Sequence, residues 1–462
     1  MIRLFRHYVP HSALLLGLVD FLLLMAAAEI GWLIRASQIG YPPGSLAERL
    51  PQVLSFAMPL QIALLAVGAY AAASFLSLRF AAARLMVAVS LGVIFLSLIF
   101  FFFPGLSYWR SSLLYSMVIA VVLLVVVRGV LGRVLGGDRF KRRVILLGAG
   151  ERAAQVLALA RQPGANFVVA AAIAMNASET AVGMAVDRST IPNLPAFVID
   201  RNASEIVLAL QERRNALPYQ DLLRVRTTGV QVSELSSFLE RVTGRIDLGS
   251  VSHSWLIFSD GFSSGRMWSA LFKRAFDITV SLLLLIVAVP LILLTAVAIR
   301  LESKGAAFYR QRRVGLFNQP FDIVKLRSMR QDAEVAGRPV WAEKDDPRIT
   351  RIGRVIRKVR IDELPQIWSV LKGEMSFVGP RPERPQFVEQ LEAEIPFYAE
   401  RHMVKPGITG WAQLNYPYGA SIDDARHKLE YDLYYAKNYS PFLDSLILLQ
   451  TLRVILWPSG AR

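Results

Sequence analysis

Cysteine is missing from all 462 residues. That excludes disulfides and thiolate metal sites, and it fits a reducing compartment. Acid is in short supply too: 36 Asp and Glu stand against 52 Lys and Arg, a formal net charge of +16. Such a surplus points to an anionic partner: lipid headgroups, nucleic acid or a phosphorylated substrate. What is abundant is apolar side chain, 54% of the residues, which makes membrane spans the first expectation. The length allows about three domains.

Four apolar runs come early, at about Ser12–Leu33, Gln52–Phe75, Phe80–Phe103 and Ser112–Val134. Each is long enough to cross a hydrocarbon core of about 30 Å as a helix. The first has a basic start (Arg3, Arg6) and a small-residue run at Ala26–Ala28, as a signal peptide would. Its length and the three runs behind it read as a retained anchor. Lys and Arg near the run ends set the orientation. Arg3, Arg6, Arg79, Arg84, Arg128, Arg133, Arg139, Lys141, Arg142 and Arg143 fall on one side, and only Arg35, Arg49 and Arg110 on the other. The N-terminus and everything after Arg143 are therefore expected in the cytoplasm. Asp20 and Glu29 lie inside the first run. An acid in lipid is costly, so each is expected to face a neighbouring helix, as packing glue rather than as a proton path.

Residues 139–250 read as a Rossmann-like cytoplasmic domain. The stretch RVILLGAGERAA at Arg143–Ala154 runs from an apolar strand into a Gly-rich turn and a helix, the start of a unit in which phosphate approaches a helix N-terminus. The next strand is expected at Phe167–Ala174. A dinucleotide site places an acid near the end of that strand, and none appears before Glu179. A scaffold without ligand is therefore favoured. Alternation continues with a strand at Glu205–Leu210, then Tyr219–Thr227, then Val230–Val232. Residues 251–272 read as a linker.

A fifth apolar run, Ala275–Ile299, has Lys273 and Arg274 before it, Arg300 after it and Pro290 in its middle. Cations at both ends argue against a simple crossing, and proline removes a backbone donor and bends or breaks a helix. A re-entrant helix, broken at Pro290, with both ends on the cytoplasmic face accounts for both features.

From Phe308 the chain turns soluble and basic. FDIVKLRSMR at Phe321–Arg330 reads as a strand carrying Lys325, Arg327 and Arg330. RITRIGRVIRKVR at Arg348–Arg360 reads as a basic amphipathic helix, with Ile349, Ile352, Val355, Ile356 and Val359 as its apolar face. It runs into Asp362 and Glu363. Nearby Arg keeps a carboxylate ionised, an ionised Asp can attack phosphorus, and a neighbouring acid can hold Mg²⁺ against substrate phosphates. Taken alone, the pair is no more than a helix cap.

The context carries more. KRAFDI at Lys273, KLRSM at Lys325, RKVRIDELPQ at Arg357, LKGEMSFVGPRP at Leu371 and KPGITGWAQ at Lys405 together resemble the bacterial sugar transferase family, the polyprenyl-phosphate hexose-1-phosphate transferases. The resemblance covers about the last 190 residues. The four-span, Rossmann-like front half looks like the long-form members. The implied architecture is a membrane protein of α + α/β class: a four-helix transmembrane region at 1–138, the Rossmann-like domain, and an α-rich catalytic domain at 273–462 with the re-entrant helix at about 275–299. The resemblance implies Asp362 as nucleophile on the β-phosphate of a UDP-sugar, with Mg²⁺ as cofactor on Glu363 and Asp362. It implies phosphate binding by Arg357, Arg381, Lys325 and Arg327 and by the turn Gly379, Pro380 and Pro382, with Pro290 as the helix break. Sugar 1-phosphate would pass to polyprenyl (undecaprenyl) phosphate and UMP would leave, the first membrane step of exopolysaccharide or other surface glycan synthesis. The setting would be the bacterial inner membrane, with membrane lipids as partners and a homodimer as the guess for assembly.

Trp411 and Gln413 read equally as nucleotide contacts or loop-shaping residues. Glu430, Asp432, Tyr434 and Tyr435 read as a structural cluster. Pro441–Trp457 is apolar but interrupted by Asp444, Gln450 and Arg453, and reads as an interfacial helix. Two rival functions compete. A nucleotide-sugar oxidoreductase or epimerase would need NAD and a Tyr-x-x-x-Lys pair, which the middle domain lacks. A non-catalytic scaffold would tolerate loss of the acid pair. Nucleic acid is no partner here, because the cations crowd membrane exits and the acid pair.

Overall fold

A computed structural model describes residues 2–4, 7–42, 44–70, 78–135, 141–176, 181–183, 185–211, 217–251, 256–257, 259, 261, 267–330, 348–416, 419 and 421–456. Arg6, Arg139, Glu179 and part of the expected linker lie outside the described residues. The chain divides into two compact units. One comprises Met1–Arg3 with Tyr8–Thr243, the other Leu4–His7 with Gly244–Arg462.

Short strands β1 (Ile2–Leu4) and β2 (His7–Val9), each divided between the two units, precede helices α1 (His11–Gln38), α2 (Leu46–Ala66), α3 (Leu78–Phe102) and α4 (Arg110–Leu135) of the first. All four helices are long and apolar enough to cross a membrane. Close packing between α1 and α4 depends on Gly31, where a Cβ would stand 2.3 Å from Ser116 Oγ. Small residues at such crossings let backbones approach. Both acids of α1 are paired, as expected. Asp20 accepts 2.9 and 2.7 Å bonds from the two terminal nitrogens of Arg128. Glu29 pairs with Arg49, whose guanidinium also lies over the Trp32 ring. Arg128 is thus a partner inside the helices, not only a cation at an exit.

The sheet of the first unit follows from the apolar strand β3 (Arg142–Leu147). With β4 (Phe167–Ala174), β5 (Ala185–Asp187), β6 (Glu205–Leu208) and β7 (Gln231–Glu234) it forms a parallel sheet of order β5-β4-β3-β6-β7. The side-chain period of two sends Val144 and Leu146 to one face, against α5 (Glu151–Arg161) and α8 (Leu235–Thr243). Ile145 and Leu147 go to the other, against α6 (Leu194–Asp200) and α7 (Tyr219–Thr227). Helices on both faces are what a parallel sheet requires. After β3, Gly148 takes φ +119°, and a Cβ there would meet the Ala209 carbonyl at 2.8 Å.

The second unit begins earlier than the expected domain end at Ser250. Gly244 accepts a bond from the Trp411 indole, and Ile246 is buried in the unit's core. Its long helix α9 (Met267–Glu302) has 36 residues and carries Pro290 inside it. The expected break does not divide it into two helices. Proline forfeits the single bond that the Ile286 carbonyl would accept, and the ladder resumes beyond it. Strands β8 (Phe308–Val314) and β9 (Pro320–Leu326) form an antiparallel hairpin. Then come α10 (Arg351–Lys358), a 3₁₀ turn Ile361–Gln366, α11 (Ile367–Lys372), β10 (Ser376–Val378), α12 (Pro385–Glu394), β11 (Gly407–Thr409), α13 (Trp411–Asn415), α14 (Ile422–Asn438) and α15 (Pro441–Leu456). The core gathers Val370, Met375, Phe377, Leu433, Tyr434, Leu443 and Ile447. Helix α15 therefore contributes one face, with Leu443 and Ile447, to this core. Its Asp444 faces inward onto Lys273, which is why an acid interrupts an apolar helix there.

Candidate active site

The acid pair is presented by a short helix with a defined start. Thr350 caps α10, its Oγ1 accepting from the Gly353 N–H at 2.9 Å. The helix is shorter than the sequence suggested: Arg348 and Ile349 precede it, and Ile349 bridges to Met329. The apolar face is narrower as well. Ile352 and Ile356 pack against Ile292, Ala296 and Ile299 of α9, whereas Val355 and Val359 are 61% and 51% exposed. Three-residue spacing of cations leaves only one turn-to-turn stripe inward. Arg360 then turns the chain through a left-handed conformation, φ 60°, at a cost of about 1–2 kcal/mol for a non-glycine residue. That turn sets Asp362 and Glu363 on the 3₁₀ segment, both 9% exposed.

The two carboxylates meet different surroundings. Glu363 receives Lys325 Nζ at 3.1 Å, Arg381 at 3.0 Å and Arg360 at 3.6 Å. Burial alone would raise its pKa, but Arg381, Lys325 and Arg360 outweigh burial and hold it well below the ordinary carboxylate range. Asp362 has no such escort. Its Oδ1 is buried and accepts no hydrogen bond among the described residues. Burial, then the charge of Glu363, raises its pKa against the fields of Lys325, Arg357 and Arg360. The expected cationic support is thus strongest at Glu363, while Arg357 and Arg360 still favour the ionised form of Asp362. Lys325 is itself pushed down by burial, with Glu363 pulling the other way.

Arg381 arrives on a turn built by close backbone approach. β10 runs parallel to β11, pairing Ser376 with Gly407 and Val378 with Thr409. Beyond β10, the Gly379 N–H donates to the Thr409 carbonyl, and the Gly407 N–H to the Pro380 carbonyl, both at 2.9 Å. A Cβ on Gly379 would lie 2.2 Å from the Lys405 carbonyl, and one on Gly407 would lie 2.1 Å from Gly379 N. Only glycine fits either place, which accounts for two of the short motifs together. The Pro382 carbonyl accepts from Arg313 at 2.9 Å. Burial lowers that guanidinium to about 10. Behind the turn, Arg401 donates to the Arg381 carbonyl and to Asp432, at 2.9 and 2.7 Å.

Lys325, Arg360 and Arg381 thus converge on the acid pair, and Arg357 adds its charge from α10. Arg327 does not join them. Its guanidinium donates to the Ser303 and Lys304 carbonyls at the end of α9, at 2.8 and 2.7 Å. Trp411 spends its N–H on the Gly244 carbonyl at 2.8 Å and stacks on Tyr434, contacts that serve the packing of this unit. Glu430 pairs with Arg245 at 3.1 Å. Residue-type reasoning passed over Arg313, Arg401, Lys273 and Asp277. Lys273 Nζ reaches the Val378 carbonyl, the Tyr435 hydroxyl and Asp444, at 3.0, 3.0 and 2.7 Å. Asp277 accepts from Ser376 Oγ at 3.1 Å and the Phe377 N–H at 3.2 Å. The signal was there in KRAFDI, whose polar residues recur at i and i+4 on one face of a helix.

Such a site, an unescorted buried aspartate beside a cation-bound glutamate at the root of an apolar helix, suits phosphoryl-group chemistry at a membrane. Residues 268–458 match the bacterial sugar transferase family, and residues 65–217 match a CoA-binding domain family. An Aeromonas hydrophila UDP-N-acetylgalactosamine-undecaprenyl-phosphate N-acetylgalactosaminephosphotransferase is 45% identical over 241 residues, 52% of this chain and 56% of that protein. A Caulobacter vibrioides UDP-glucose:undecaprenyl-phosphate glucose-1-phosphate transferase is 39% identical over 47% of this chain and 81% of its own length. A Bacillus subtilis putative undecaprenyl-phosphate N-acetylgalactosaminyl 1-phosphate transferase is 54% identical over 28% of this chain and 72% of its own length. The chain thus spans little more than half of the Aeromonas relative it matches. It belongs to the bacterial sugar transferase family.

Proposed function

We propose that the chain is a phosphoglycosyl transferase that moves a sugar 1-phosphate from a UDP-sugar to polyprenyl phosphate. An Asp362 carboxylate oxygen attacks the β-phosphorus. The bond from that phosphorus to the bridging oxygen breaks, and UMP leaves with that oxygen. A sugar-phosphate ester remains on Asp362. A phosphate oxygen of polyprenyl phosphate then attacks the same phosphorus and frees the Asp362 carboxylate, giving a polyprenyl-diphosphate sugar. The observation that carries this reading is the unpartnered, buried Asp362 Oδ1 beside a carboxylate already neutralised by three cations. A carboxylate held by several cations is a weaker nucleophile than one whose oxygen is not tied up in hydrogen bonds. Arg381, Lys325 and Arg357 supply positive charge where phosphoryl oxygens gather negative charge.

Among the described residues no cluster of three or more His, Asp or Glu could cage a metal. Mg²⁺ needs no such cage: it commonly takes one or two carboxylates and completes its shell with substrate phosphates and water. Asp362 Oδ1 and Glu363 Oε2, which pairs with the exposed Arg360, are the acceptors that would hold it. Bound there, it would neutralise diphosphate charge.

Re-entrance of α9, and with it a cytoplasmic site, belongs to the same proposal. Asp277 and Glu302, at the two ends of the apolar stretch of α9, both bond to the one C-terminal unit. A straight crossing would carry those ends to opposite sides of a core about 30 Å thick. A reporter fused at Arg462 should read cytoplasmic, and an extracytoplasmic signal would defeat this topology. For the activity, the test is UMP release from a panel of UDP-sugars, with and without polyprenyl phosphate and Mg²⁺. Silence across the whole panel defeats the reading.

A further inference from the structure

The C-terminal end of α9 does more than stop. The Glu302 carboxylate, 49 residues away in sequence, reaches the start of α10. Its Oε1 accepts from the Arg351 N–H at 2.8 Å and from the Ile352 N–H at 3.2 Å, and its Oε2 from Ile352 at 3.2 Å. Thr350 takes the next N–H, that of Gly353. The first turn of a helix has donors with no partner of its own, and here a side chain from the apolar helix supplies one. The same corner is tied twice more. Arg327 donates to the Ser303 and Lys304 carbonyls. The Thr350 N–H donates to the Ser328 carbonyl at 3.1 Å, and a Cβ on Gly353 would lie 1.9 Å from that same carbonyl. The end of α9, the end of β9 and the start of α10 therefore form one joint. From it, a single short helix leads to Arg360 and Asp362. At the other end of α9, Lys273 and Asp277 hold β10, which leads to Gly379 and Arg381.

We infer that Glu302 is a positioning residue for Asp362, acting through α10, and that α9 thereby sets the separation between the nucleophile and Arg381. The inference rests on the proposed transfer activity. Glu302 touches neither substrate nor reacting atoms. Its effect is on where Asp362 sits when phosphorus arrives, and a misplacement of about 1 Å can cost about 100-fold in rate.

The test uses the full chain in lipid nanodiscs. Glu302→Ala should lower the kcat for UMP release about 10- to 100-fold while leaving the KM for the UDP-sugar within about two-fold. Glu302→Gln keeps an acceptor oxygen on a side chain of equal length and should recover most of the rate. Amide exchange at 351–356 should quicken in the alanine variant and stay near the parent in the glutamine one. An unchanged kcat in Glu302→Ala, or equal losses in both variants, overturns the inference. If the parent releases no UMP from any UDP-sugar, the activity reading has failed and exchange alone decides the joint. Unaltered exchange in the alanine variant then overturns it, and quickened exchange upholds it.

Discussion

Asp20 of α1 and both acids of the 3₁₀ turn are buried, Glu29 of α1 is half-buried, and the two pairs are treated in opposite ways. Asp20 and Glu29 each have one arginine, matched charge for charge. Asp362 and Glu363 share their cations unequally: three reach Glu363, and among the described residues Oδ1 of Asp362 has no hydrogen-bond partner. A matched pair offsets part of the cost of burying charge. An unmatched one keeps a lone pair available and holds counter-charge close by. The difference separates a helix-packing device from the proposed reaction centre, although the residue types are alike in both.

The sharpest contrast comes from the same conservative change in both places. Asp362→Asn should abolish UMP release and transfer, whereas Asp20→Asn should leave release per folded molecule intact. Full activity in the first variant breaks the assignment. Arg128→Leu strands the Asp20 charge and should destabilise the chain by about 3–5 kcal/mol, while Asp20→Leu with Arg128→Leu should recover most of that loss. Thermal unfolding in nanodiscs measures both, and a double variant no better than the single would show that the pair is not simply matched glue.

Acidity gives a smaller, graded effect. Burial and then Glu363 raise the Asp362 pKa, so the attacking, ionised form is lost as pH falls through a value above that of an ordinary aspartate. In stability terms the signs oppose. A raised folded-state carboxyl contributes stability below its unfolded pKa, and that is lost as pH rises through the folded one. The depressed Glu363 contributes above its unfolded pKa and loses it as pH falls. The pH profile of UMP release should therefore show an acid limb above the usual aspartate range, and a limb at or below that range would contradict an unescorted Asp362. The smallest effect is expected at Trp411→Phe. It gives up the bond to Gly244, about 1 kcal/mol of stability, and should leave the KM for the UDP-sugar unchanged. A raised KM would restore a substrate role to the indole.

Much of the architecture follows from local pattern. Strand β4 and helix α7 fall where alternation and helical period place them, because each buries its own periodic face. The apolar helices follow from length and composition, and the acid pair from a motif context dense enough to be specific. Local pattern fails where a partner is distant in sequence. Arg327 has the residue type of a phosphate binder, and only the arrival of Ser303 and Lys304 turns it into a brace. Asp444 looks like an interruption in an apolar helix until Lys273 meets it.

The sequence by itself determined that the chain has membrane-length apolar helices, a parallel α/β sheet and a basic segment delivering two adjacent acids. Those are properties of period, composition and order along the chain. Tertiary structure alone decided which of the two acids would be escorted. Lys325 and Arg381 lie 38 and 18 residues from Glu363, and only the packing of β9, α10 and the Gly379 turn brings them to one carboxylate and leaves the other free.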